Sequence, residues 1–197
     1  MSKQRGYTLV EVAVTAAALG LIACVTLPAM SSMLWRATMR GAMTRVHSLM
    51  VMTQEDAIAT QRNRAIKFIR TTDGAWSYAI YIDGDGDGVL NADIASGVDP
   101  LVDGPEVIAD PRAMATIRIP PGGLPDPDGG PRLLPEAAPV QFNRSTLCSF
   151  SPDGSGTPGS VYLSTLGGDA AVVRCSGEGG RISDLVLAAG GRKWRSP

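Results

Sequence analysis

The amino-acid sequence predicts an α+β protein in which one long N-terminal helix packs on a β-rich domain of antiparallel sheets. Three observations lead there. Residues 7–29 form an apolar run broken by a single charge, Glu11. Residues 31–61 lack proline and set Trp35, Met39, Met43, Val46, Met50 and Ala57 at helical intervals. Beyond residue 63 the apolar period shortens, and a chain with 23 Gly and 14 Pro offers many turns between short strands.

Each segment follows from its chemistry. Residues 1–6, Met-Ser-Lys-Gln-Arg-Gly, form a polar basic leader. The run 7–29 is long enough to cross a bilayer as a helix, so a transmembrane segment is expected there, with Gly20 and Pro28 weakening it. A carboxylate deep in such a segment would cost roughly 2.5 to 3.5 kcal/mol, which gives Glu11 either a function or a place at the headgroups. Residues 30–62 continue the same helix as a stem. Its apolar stripe would face the domain, and Arg36, Arg40 and Arg45 would face water or phosphate headgroups.

Residues 63–197 form the β-rich domain. Residues 64–70 and 76–82 read as a hairpin around a Thr-Thr-Asp-Gly turn, and further strands are expected at 106–109, 116–119, 139–143, 161–164, 170–174 and 182–187. The stretch 120–139, rich in Pro and Gly, reads as a long loop, and residues 190–197 as a basic tail.

Composition narrows the function classes. With 18 basic and 19 acidic side chains, no global field draws the chain to nucleic acid or to an anionic surface, so such binding would be local. There is no Gly-x-Ser-x-Gly elbow, no phosphate-binding Walker loop and no zinc-type Cys/His spacing, and His47 is the only histidine. No enzymatic activity is expected. Cys24 lies in the apolar run, leaving Cys148 and Cys175 as a disulfide in an oxidising compartment or as two buried thiols.

The segment Arg5-Gly6-Tyr7-Thr8-Leu9-Val10-Glu11, with its basic leader and following apolar run, resembles the processing motif of type IV prepilins and type II secretion pseudopilins. The resemblance implies cleavage by a prepilin peptidase between Gly6 and Tyr7, N-methylation of Tyr7, which stands where the family usually has Phe, and an assembly role for Glu11. Cleavage would create an amine on Tyr7, and Glu11 of a neighbouring subunit could compensate it and set axial register. The resemblance further implies a single-pass inner-membrane protein with its C-terminal domain in the periplasm. Its partners would be other pilins or pseudopilins, the prepilin peptidase and the inner-membrane assembly platform.

Phe150-Ser151-Pro152-Asp153-Gly154, the stretch 161–164, and Ala171-Val172-Val173-Arg174 leading to Gly180-Arg181-Ile182 resemble the C-terminal half of GspH/FimT-type minor pilins. The implied function is a minor subunit of a type II secretion pseudopilus or a type IV pilus. The alternative is a DNA-binding minor pilin serving DNA uptake in natural transformation.

Two further segments carry candidate sites. In the loop 83–93, Asp83, Asp85, Asp87, Asn91 and Asp93 alternate as calcium ligands do, with Gly88 at the turn, but Ile94 stands where a closing acid would be. The two readings are a weak calcium loop, drawing on Asp99 or Asp103, and a solvated turn whose Asp side chains cap their own backbone. In the tail, Arg192, Lys193 and Arg195 surround Trp194, and with Arg181 they form a candidate DNA contact through phosphates and base stacking; the other reading is a frayed terminus.

Overall fold

The computed structural model describes residues 8–131 and 133–197, and for residues 25–32 and 178 it describes the backbone alone. Helix α1 spans Leu9–Thr60, 52 residues, and passes Gly20 and Pro28 without a break. Thr8 caps its start, and Gln61 ends it in the left-handed conformation, φ 54°. The stripe Met39, Met43, Val46, Met50 and Ala57 is buried, joined by Thr53, whose hydroxyl donates back to the Leu49 carbonyl. Each Met or Val of the stripe contributes about 1.5 to 3 kcal/mol when fully buried.

The strands are β1 (Arg64–Arg70), β2 (Trp76–Ile82), β3 (Leu101–Ala109), β4 (Ala115–Ile117), β5 (Leu124–Pro125), β6 (Leu133–Leu134), β7 (Val140–Phe142), β8 (Leu147–Phe150), β9 (Gly159–Thr165), β10 (Ala170–Cys175) and β11 (Ile182–Leu187). Helix α2, Asn91–Ser96, interrupts the hairpin series. The first sheet has the order β3-β2-β1-β8, and the second β11-β10-β9-β4 with β7 also on β9. The pairings within both are antiparallel. Strands β5 and β6 form a small hairpin inside the Pro-rich stretch 120–139.

Helix α1 lies on both sheets. Its stripe meets Ile66, Phe68 and Trp76 of the first and Val161, Leu163, Ala171 and Val173 of the second, in one core. The alternate residues of β9 and β10, Tyr162, Ala170 and Val172, point away from the helix. They are covered by Ile119, Leu124, Leu134 and Trp194, so the second sheet is buried on both faces. A third cluster, Ala65, Val89 and Leu147 with Ile94 and Tyr81, fastens the segment after β2 to the outer face of the first sheet.

The α+β class with antiparallel sheets stands, but the transmembrane segment expected over 7–29 is corrected. Among the described residues no helix is long and apolar enough to cross a membrane. From Leu9 to Cys24 the described apolar stretch of α1 rises roughly 24 Å, short of the ~30 Å hydrocarbon core. The single-pass inner-membrane placement with a periplasmic domain, which the resemblance implied, requires such a span and is withdrawn with it. Strand β8 and the first half of β3 were not expected, and α2 occupies what reads as a loop.

Candidate functional site

Four places hold the residues singled out by chemistry. The acidic loop follows β2 where the chain passes the C-terminal end of α1. Asp83 is buried and takes four donors: the backbone N–H groups of Asp85 (3.2 Å), Gly86 (2.7 Å) and Gly88 (2.9 Å), and the Asn63 amide at 2.7 Å. Burial alone would raise its carboxyl, but these donors outweigh that and hold it below the ordinary aspartate range. The Arg62 guanidinium donates to the Asp83 carbonyl. Asp99, equally buried, receives the N–H of Gly84 and of Leu90, each at 2.9 Å, and so ties the two ends of the loop together. Gly84 has no substitute, because a Cβ there would drive into the Val98 carbonyl.

Ligand oxygens of Asp83, Asp85 and Asp87 come within 4.8 Å of one another. Asn91 and Asp93 belong to α2, and the Asp93 carboxylate does not join that group. Asp103 lies on β3 opposite Ile80 and bonds to the Gly104 N–H. Asp83, with four donors, has little left for a cation, and Asp85 and Asp87 are exposed. Partial desolvation, together with the hydrogen bond and charge of Asp85, pushes the Asp87 carboxyl up, and desolvation and its acidic neighbours do the same to Asp93. Geometrically this is a self-capped turn that carries crowded negative charge.

The second place joins the two sheets. Cys148 on β8 and Cys175 on β10 are both buried and touch as thiols, so the expected disulfide is absent among the described residues and two free thiols stand there instead. Burial pushes the Cys148 thiol well up.

The tail is neither frayed nor free to stack on bases. The Val186 and Arg195 backbones exchange hydrogen bonds of 2.7 and 3.0 Å, so the tail returns along β11. The Trp194 indole donates to the Pro125 carbonyl at 2.8 Å, and its ring packs on Tyr162 with centroids 6.4 Å apart. Trp194 is a structural lock, which corrects its assignment to DNA contact. Arg181 precedes β11 while Arg192, Lys193 and Arg195 follow it, so roughly 17 Å of strand separates them and Arg181 leaves the cluster.

The structure adds two cations that sequence reasoning had assigned to solvent. Arg36 and Arg40, one turn apart on α1, line a groove of about 500 Å³ together with Arg192, Lys193 and Arg195, over a floor that includes Val186 and Leu187. Among the described residues none of these five makes an ion pair. Helical spacing puts Arg36 and Arg40 on one face, but only the return of the tail along β11 reveals what they face.

The fourth place is the first half of α1. Gly6 and Tyr7, the cleavage and methylation residues, lie outside the described residues. Glu11 closes a capping box with Thr8. Its Oε2 accepts from the Thr8 N–H at 2.9 Å and hydroxyl at 3.0 Å, while the Glu11 N–H donates to Thr8 Oγ1 at 3.3 Å. Those bonds hold its carboxyl below the ordinary glutamate range. Along this half Leu9, Val10, Leu19 and Leu21 are each at least 67% exposed.

Gln54 was missed by sequence reasoning and has a structural task. Its amide donates to the Gly154 and Gly180 carbonyls at 2.7 and 3.0 Å, pinning two loops to α1. No family model, curated protein or solved structure matches this chain.

Proposed function

We propose that this chain is a filament subunit of the pilin or pseudopilin kind, contributing to a secretion pseudopilus or a type IV pilus as a minor component. One observation carries the reading: α1 is a single helix whose second half is the core of the domain and whose described first half is apolar and uncovered. Contiguous apolar surface of that extent asks for a partner, and the same helix from neighbouring copies supplies one of matching length and chemistry. The motif Arg5-Gly6-Tyr7 through Glu11 adds a processing step between Gly6 and Tyr7 that would free an amine beside the capping box. Glu11, kept ionised by Thr8, is then available to an incoming subunit's amine, compensating its charge and fixing axial register.

The test is co-expression of the full chain with a prepilin peptidase, read by intact mass. The product should begin at methylated Tyr7. Gly6→Val should remain full length, and Glu11→Ala should be processed but enter filaments poorly. Unprocessed protein in the presence of active peptidase would overturn the reading.

A further inference from the structure

The charge of this nearly neutral chain is not mixed evenly. The acidic loop, with Asp85 and Asp87 exposed, sits beyond the C-terminal end of α1, where Asn63 and Arg62 hold it. The groove holds Arg36 and Arg40 of the same helix with Arg192, Lys193 and Arg195, none in an ion pair among the described residues. Asp169 also lines it, outnumbered by the cations. From Arg40 to Gln61 the helix rises roughly 30 Å, so the two patches are too far apart to meet within one copy. At about 8 Å, the Debye length under physiological salt leaves each patch unneutralised by the other.

We infer that the acidic loop of one copy seats in the basic groove of the next, joining copies head to tail. The match is chemical as well as electrostatic. Crowding raises the carboxyls of Asp87 and Asp93, so a cationic pocket relieves a repulsion that the single copy carries. Bidentate guanidinium groups on α1 and in the tail suit carboxylates. A nucleic acid is the less favoured occupant, because Trp194 is committed to Tyr162 and Pro125, and Arg181 lies outside the groove. Because the donating and receiving surfaces differ and lie at opposite ends of the packed helix, the contact is heterologous and leaves each copy free to join a further one. It rests on the filament reading for its biological setting, and names the surfaces that reading leaves open.

Lys193 makes the contact directly testable. A zero-length carbodiimide couples an amine only to a carboxylate already touching it. The full chain, treated at low ionic strength and digested for mass spectrometry, should give Lys193 joined to Asp85 or Asp87. The intact products should form a ladder beyond the dimer. Roughly 0.5 M salt should abolish the adduct, as should R192E with R195E, or R36E with R40E as an independent pair on the helix, each with its thermal transition retained. A ladder that stops at the dimer, or coupling of Lys193 only to other carboxylates, would overturn the inference. It would also fall if Lys193 stays uncoupled between copies yet is shielded from acylation by an oligonucleotide, which would make the groove a nucleic-acid surface. Processing at Gly6 is scored separately. Cleavage without the adduct removes this contact and leaves the filament reading, while the adduct without cleavage does the reverse.

Discussion

The Cys148 thiol, on the edge strand of the first sheet, touches the Cys175 thiol at the end of β10 in the second. In the native protein iodoacetamide should therefore modify Cys24, which is exposed, and spare the other two, because burial holds Cys148 protonated. Oxidised glutathione present during refolding from denaturant, when both thiols are accessible, should convert the pair to a disulfide, each cross-link releasing two reduced glutathione molecules and lowering the protein mass by two hydrogens. Closing a loop of roughly 27 residues should stabilise the fold by about 3 kcal/mol. Alkylation of Cys148 as fast as Cys24, without denaturant, would contradict the buried contact.

How much of this was legible in the sequence follows from range. The hairpin 64–70 and 76–82 and the last strand 182–187 could be read to the residue, since alternation and a Thr-Thr-Asp-Gly turn are local signals. Strand β8 was not, because Leu147-Cys148-Ser149-Phe150 is too short to alternate visibly and owes its state to pairing with β1 across the chain. The acidic turn was found by spacing, but its anchor was not. Val89 and Ile94 bind it to the first sheet, and nothing near them in sequence says so. The groove was illegible for the same reason, since it needs helix and tail together. The expected membrane span failed on length.

The carboxyls of the acidic loop should give the stability curve two opposed limbs. Asp87 and Asp93 have raised folded values, so the native state binds their protons more readily than the unfolded chain, and stability should rise as pH falls through the range just above the ordinary aspartate value. Asp83 is lowered, so its contribution is present above the unfolded value near 4 and is lost as pH falls through the folded one. In thermal melts from pH 7 to 3, D87N should flatten the first limb, and D83N should remove the second while lowering the melting temperature at pH 7. Calcium near millimolar should leave the wild-type transition where it is, because both Asp83 oxygens are already taken by donors of the turn itself.

Trp194 should contribute to stability through its docking on the outer face of the second sheet. W194A removes a ring that covers Tyr162 and a hydrogen bond to Pro125, and should cost about 2 kcal/mol in denaturant unfolding. W194F keeps most of the apolar cover and loses the bond, at about 1 kcal/mol. Neither change should alter any binding to single-stranded DNA, and an oligonucleotide that quenches Trp194 fluorescence in the folded protein would contradict the docked ring.

The cover that Trp194 places on the outer face of β9 and β10 has a consequence for synthesis. A chain made from its N-terminus completes β9 and β10 by Cys175, before Trp194, which helps to cover their outer face, has been added. Until Trp194 docks, Tyr162 lacks the ring that completes the cover begun by Ile119, Leu124 and Leu134. A nascent chain stalled between Leu187 and Trp194 would carry a partly unsealed β-surface, the state most exposed to misassembly.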